Sequence, residues 1–568
     1  MRGRVKGLVV AAVCVVGVSL SPGCAIPGRA GDNAPAQVNE HVPKETDSET
    51  GQPVPEVVGD GDGGIALSAS QQFFGRAPFV VLAPEDDHDA IVRGASLAVA
   101  TSVPLLVVGP ADEASIAQEL GRLNADTAVA VGSVPAIDGA DILAIDGSPE
   151  QLSELTGLTF RPEELSDISE AGAALAALDS SEHVLLTIPS AVVEPSENTG
   201  DGSVAATDAT LPSFGRGSQD TQVVVFTSPN GVPEPGERAD HVAATAVAKA
   251  AGAQVVVLPV PDPRVNRESV DAVRENADAT ILALGSHFGT SAQIRERIDS
   301  ALNVAELPGG GQLIYPGRRM IALYGHPGVP AMGVLGEQGP EDAIARAREL
   351  AGLYEDYSGE AVIPALEVIV TVASVSPGAD NQYSNVSRVE DIRPWVDAAR
   401  DEGTYIVLDL QPGRTDFLTQ AKLFEELLAE PHVGLALDPE WRLRPDQVHL
   451  RQVGQVDASE VNEVIEWLAD LTAEHNLPQK LLVLHQFQTR MITNRDQLDT
   501  SREEVSLLIH ADGHGVPAQK MDTWNVLKQD LSDDIWLGWK NFYDEDSPTF
   551  TPAETMYVEP APWFVSYQ

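Results

Sequence analysis

The chain is poor in cysteine, in basic residues and in long apolar runs, and each shortage excludes something. Among 568 residues the only cysteines are Cys14 and Cys24. Cys14 lies in the apolar run from Leu8 to Leu20, behind Arg2, Arg4 and Lys6, which is the layout of a cleaved export signal. Cleavage leaves at most one thiol, so no internal disulfide holds the mature chain and its stability must come from its core. Lys and Arg total 36 against 85 Asp and Glu, a formal net charge of -49. Such a surface repels nucleic acid, anionic headgroups and phosphate polymers, so no nucleic-acid partner is expected. After Leu20 no apolar stretch approaches the roughly 20 residues that a transmembrane helix needs. Two motifs are also absent from the positions where the sequence reading would need them. No Gly-x-Gly-x-x-Gly follows a candidate strand, which argues against a dinucleotide site, and Gly309-Gly-Gly311 reads as a loop. No Gly-x-Ser-x-Gly elbow supports Ser-His-Asp catalysis. No cofactor is expected.

The apolar run ends in Ser21-Pro-Gly-Cys24. Residues 1–24 thereby resemble a bacterial lipoprotein signal. The resemblance implies that Cys24 is lipidated and anchors an exported chain to the outer face of the cell membrane. Residues 25–65 are rich in Pro, Gly, Asp, Glu and Ser with almost no apolar periodicity, and are expected to form a disordered tether.

Across residues 66–312 short apolar strands alternate with helical patterns. Phe79-Val-Val-Leu-Ala83, Pro104-Leu-Leu-Val-Val-Gly109 and Thr127-Ala-Val-Ala-Val-Gly132 read as strands, with helices over Asp89 to Val99 and Ala114 to Leu123. The order recurs in Gln222 to Thr227, a helix over His241 to Ala251, Gln254 to Leu258 and Ala279 to Gly285. This alternation predicts a duplicated, parallel, three-layer α/β domain. Phe79 to Val134, with acidic residues after its first strand, an Ala-rich helix and a Gly-terminated "Thr-Ala-Val-Ala-Val" strand, resembles a cell wall-binding repeat of the second type. The resemblance implies that this domain binds cell-wall polysaccharide or peptidoglycan.

From residue 313 to 568 the rhythm changes. Eight candidate strands, at Arg319–Tyr324, Leu366–Ala373, Tyr405–Asp409, Val433–Asp438, Leu481–His485, Val505–His510, Ile535–Trp539 and Trp563–Tyr567, are mostly separated by amphipathic helices. Eight strands with intervening helices in about 250 residues is the size and order of a (β/α)8 TIM barrel, whose site lies at the C-terminal ends of its strands. Polar residues gather at those ends: Tyr324 and His326; Ser374, Ser376, Asp380 and Tyr383; Asp409 and Gln411; Asp438 and Glu440; His485 and Gln486; His510, Asp512 and His514; Trp539, Lys540 and Asn541.

The fourth end, Gly434-Leu-Ala-Leu-Asp-Pro-Glu-Trp441, is the most informative. If strand alternation runs through it, Gly434, Ala436, Asp438 and Glu440 share one face, with Val433, Leu435 and Leu437 on the other. Asp438-Pro-Glu440 resembles the Asp-x-Glu element of chitinase-like and muramidase-like glycoside hydrolase barrels. The resemblance implies that Glu440 is a general acid and Asp438 its partner, with Asp409 or Asp512 supplying a further carboxylate. The spaced aspartates that precede the Glu in chitinases are replaced here by Leu435 and Ala436. Trp441, Tyr383 and Trp539 would form a stacking surface for sugar rings, and Tyr324, His326, Gln411, His485, Gln486, His510 and Lys540 would complete the substrate site. Two alternatives stay open. One is a non-catalytic wall-binding lipoprotein. The other is a metal-dependent, amidohydrolase-like barrel using His326, His485, His510, Asp512 and His514, although that family's His-x-His pair is missing from the first strand.

Overall fold

The computed structural model describes residues 36–38, 55–59, 63–110, 112–178, 183–189, 211–215, 223–232 and 235–568. Residues 1–24, with the expected export signal and Cys24, lie outside these residues. Among the described residues no helix is long and apolar enough to cross a membrane.

Among the described residues the N-terminal half holds two four-stranded parallel sheets that share the order of three strands, while the fourth follows them in the chain in one sheet and precedes them in the other. In one, Val80–Pro84 lies between Leu105–Val108 and Thr127–Val131, with Asp141–Ile145 outermost. In the other, Val223–Thr227 lies between Gln254–Val257 and Thr280–Leu284, with Glu56–Val58 outermost. The repeated order matches the duplication expected from the sequence. Helices Gly64–Phe73, His88–Thr101 and Pro235–Ala250 share one apolar core with both sheets. Their many alanines, such as Ala95, Ala98, Ala243, Ala246 and Ala250, let backbones approach closely.

The expectation of an unstructured tether through residue 65 fails in three places. Glu56–Val58 adds a strand to the second sheet, Gln37–Val38 pairs with Phe74–Arg76, and a helix begins at Gly64. Strands of two or three residues are too short to show a period. Their pairing comes from a sheet edge supplied elsewhere in the chain.

The C-terminal half is a closed barrel of eight parallel strands, labelled β1 (Arg318–Gly325), β2 (Ala361–Ala373), β3 (Tyr405–Leu410), β4 (Val433–Leu437), β5 (Lys480–Gln486), β6 (Val505–Ala511), β7 (Trp536–Asn541) and β8 (Phe564–Tyr567). β1 pairs with both β2 and β8, which closes the ring. Strand alternation divides the side chains cleanly. Leu366, Val368, Leu408, Leu435, Leu482 and Ile509 meet outer-helix residues such as Ile344, Trp395 and Leu468. Met320, Ala322, Ile363, Ala365, Tyr405, Val407, Ala436, Leu481, Val483 and Leu508 fill the interior. The two halves are tied by Glu503, which accepts from Arg264 at 3.0 Å and Arg297 at 2.8 Å, and by Gln479, whose N–H donates to the Gln312 carbonyl.

Candidate functional site

The same alternation that fills the barrel with apolar side chains turns polar at its C-terminal end. On β1 the interior series runs Met320, Ala322, Tyr324; on β2, Ile363, Ala365, Glu367; on β3, Tyr405, Val407, Asp409; on β5, Leu481, Val483, His485. His510 and Lys540 are the last residues but one of β6 and β7, and Asp512 follows β6. Register brings them level, with Tyr324 opposite Glu367 and His485 opposite His510. Gly538 stands opposite His510, and a Cβ there would lie 2.8 Å from His510 Cδ2, so glycine makes room for the imidazole.

Glu440 is placed differently from the expectation. β4 ends at Leu437, and Pro439–Trp441 form a short 3-10 turn whose N-cap is Asp438. The Asp438 carboxylate accepts from the Glu440 N–H at 3.1 Å. Strand alternation therefore carries Asp438, while a proline-initiated capped turn carries Glu440 to the barrel mouth.

A chain of contacts crosses the barrel end. Glu367 Oε1 lies 2.8 Å from His485 Nε2, His485 Nδ1 lies 3.1 Å from Asp512 Oδ2, and Asp512 Oδ1 lies 3.2 Å from Lys540 Nζ. The Lys540 ammonium sits 3.5 Å from the centre of the Tyr324 ring, and the Tyr324 hydroxyl donates to Asp409 Oδ2 at 2.9 Å. Above this layer opens a cavity of about 340 Å³, within the range of small-molecule sites. Of the residues expected at the site, Tyr324, Gln411, Asp438, Glu440, Trp441, Asp512, His514 and Lys540 line it. Phe487, Thr523, Phe542 and Gln568 also line it and went unread in the sequence, although Phe487 and Phe542 follow flagged strand ends.

Other expected residues lie elsewhere. Asp409, His485 and His510 are fully buried beneath the cavity. Gln486 is buried and braces the following loop through the Gln488 and Thr489 carbonyls. His326 bonds the carbonyl of its neighbour Pro327. Tyr383 stacks under Arg414, 4.5 Å from ring centre to guanidinium, outside the cavity lining. Trp539 is not a sugar platform: it is buried edge-on against Trp524, 5.6 Å between ring centres, and its indole N–H donates to Asn541. It lies on the outer face of β7 with the helix core, one residue out of phase with Lys540. Glu367 was missed because it lies mid-way along a strand longer than expected, and the only signal was a lone carboxylate in Ala-Leu-Glu-Val-Ile.

Charge is distributed unevenly. Burial, together with the nearby Asp512 carboxylate, pushes Glu440 up to about 7, against the pull of Lys540 and His485. Burial also raises Asp438 well above the ordinary carboxyl range and Asp409 to about 6. Asp512 goes the other way. Burial would raise it, but the Lys540 ammonium and the His485 hydrogen bond hold it below the usual range. Burial opposes charge on His485, yet Glu367 and Asp512 on its two nitrogens keep its pKa well above that of a free imidazole. The cavity lining thus holds one carboxyl, Glu440, that keeps its proton up to about pH 7 and another, Asp512, that stays ionised, the separation that acid–base chemistry requires. Among the described residues, the side chains grouped closely enough to hold a metal ion are Glu367, His485 and His510, which share His485 and His510 with the five residues of the metal-dependent alternative.

The fold and the site together define a TIM barrel with a carboxylate-rich mouth, preceded by a duplicated parallel α/β domain. No family model and no curated protein matches the chain. Among solved structures, similarity is found to Cwp8 from Clostridium difficile (16% identity, 44% of this chain and 52% of that one, TM-score 0.30) and to Cwp6 from Clostridium difficile (11%, 71% and 66%, 0.31). It is also found to CcCel6C, a glycoside hydrolase family 6 enzyme from Coprinopsis cinerea (13%, 39% and 60%, 0.18). The chain spans about half the length of Cwp8. Scores this low carry no argument about activity.

Proposed function

We propose that the protein cleaves a glycosidic bond in a cell-envelope polysaccharide, with Glu440 as general acid. The observation that carries this reading is that Glu440 and Asp512 line one cavity with opposite preferences for a proton. Glu440 protonates the leaving glycosidic oxygen, which lowers the barrier to C–O cleavage. Asp512 either takes a proton from the attacking water or bonds the sugar carbon itself, the choice depending on the span between the two carboxyls. Asp438 orients the Glu440 turn through its capping bond, and Trp441 offers the stacking face. The export signal, Cys24 and the wall-repeat resemblance of the N-terminal domain support action at the outer envelope, with that domain holding the polymer and a lipid holding the chain to the membrane.

The test is release of reducing ends from purified wall glycans by wild type and Glu440→Gln. The variant is expected to lose at least a hundredfold in rate while still co-sedimenting with the glycan, since general acid catalysis supplies about 10²–10⁴. No release by wild type across those glycans, with binding intact, would replace the hydrolase reading with that of a binding protein.

A further inference from the structure

Beneath the cavity floor lies a cluster for which the acid–base reading has no use. Glu367 on β2, His485 on β5 and His510 on β6 are each 0% exposed, and each offers a ligand atom within 4.8 Å of the others. Neither Glu367 nor His510 lines the cavity. Two of their polar atoms, Glu367 Oε2 and His510 Nδ1, are buried with no hydrogen-bond partner, a costly arrangement for a carboxylate and an imidazole.

We propose that Glu367, His485 and His510 form a buried binding site for one divalent cation of the zinc class. Four features support it. Two imidazoles and one carboxylate form a donor set that suits zinc, whereas calcium and magnesium take oxygen ligands throughout. Each ligand comes from a different barrel strand, so the sheet fixes the spacing and an ion need not pay to assemble the site. His485 carries the outer support that metal-bound histidines have: its Nδ1–H donates to Asp512 Oδ2 at 3.1 Å, orienting the ring with Nε2 toward Glu367. Finally, the buried end of the barrel gathers four carboxyl groups, Glu367, Asp409, Asp438 and Asp512, whose ionised forms a cation favours. A divalent ion would displace the proton shared by His485 Nε2 and Glu367 and occupy the unpartnered donors. A water would take the fourth position.

The inference does not draw on the hydrolase reading, and its measurements use no glycan. The full chain, stripped with chelator, is titrated with ZnCl2 in a calorimeter. One equivalent is expected to bind at micromolar or tighter affinity, with Glu440→Gln behaving as wild type and Glu367→Ala and His510→Ala each at least a hundredfold weaker. Equal binding by those two variants, or none by wild type, overturns the proposal. Because removing a buried side chain can unfold the barrel, wild type loaded with Co(II) supplies a second measurement. An intense visible spectrum and X-ray absorption fitted by two imidazoles are expected. A weak, six-coordinate, all-oxygen spectrum overturns the site even if the variants do not fold.

Discussion

If burial and Asp512 push Glu440 up to about 7, ionising it must cost folding stability, and removing the charge must return that stability. The direction follows from proton counts. Between the ordinary carboxyl value of 4.5 and about 7, an unfolded chain has released this proton and the folded chain has kept it. Stability therefore falls as pH rises through that window, and above it the folded protein bears the full penalty. At about 1.4 kcal/mol per pH unit the penalty is roughly 3 kcal/mol. Glu440→Gln keeps the shape and never ionises. It is expected to match wild type at pH 4.5 and to be more stable by up to about 3 kcal/mol at pH 8, a rise of roughly 5–10 °C in barrel melting temperature. Scanning calorimetry of both proteins at the two pH values checks this. A gain of the same size at both pH values would show that packing rather than charge is responsible. No gain at pH 8 would refute a strained, proton-holding Glu440 and with it the main support for the general acid. A variant that loses activity and gains stability would show the conflict expected when a functional group is held where it is unfavourable.

The remaining predictions concern activity and packing. With a glycan that is cleaved, kcat/KM is expected to fall about tenfold per pH unit above pH 7, as Glu440 loses its proton; a rate flat to pH 9 would exclude Glu440 as the acid. Gly538→Ala sets a Cβ 2.8 Å from both His510 Cδ2 and Leu508 Cδ2 and 3.0 Å from the Phe564 carbonyl oxygen, so it should destabilise the barrel by about 1–3 kcal/mol by overpacking, measurable as a lower melting temperature. Trp524→Ala, at a fully buried ring packed on Trp539, should cost about 3–5 kcal/mol; a loss under 1 kcal/mol would mean that the outer layer repacks freely.

What could be read in the sequence and what could not follow one physical division. All eight barrel strands were legible because each is a short, mostly apolar stretch, in most of them rich in branched residues, as a parallel strand covered on both faces must be. Alternation then determines which side chains look inward, and Asp438, one residue past β4, and Lys540, on β7, both line the cavity. It failed where the frame ends or is misjudged. Glu440 looks correctly placed by counting in twos from Gly434, yet the chain leaves extended geometry after Leu437, and the Asp438-capped turn puts it at the cavity. Trp539 looked like a binding aromatic because it sits at a strand end, but it is one residue out of phase with Lys540 and faces the helices. Glu367 fails the opposite way. It was passed over because the strand was taken to begin at Leu366 and polar residues were sought only at its end. Counted in twos from Ile363 and Ala365, which belong to the interior cluster, it falls on the inner face beside Tyr324. Alternation over the full length of β2 therefore covers Glu367 as well. A single acid on the inner phase of an otherwise apolar barrel strand carries more information than several polar residues in the loop beyond it, because only the former must be satisfied inside the barrel.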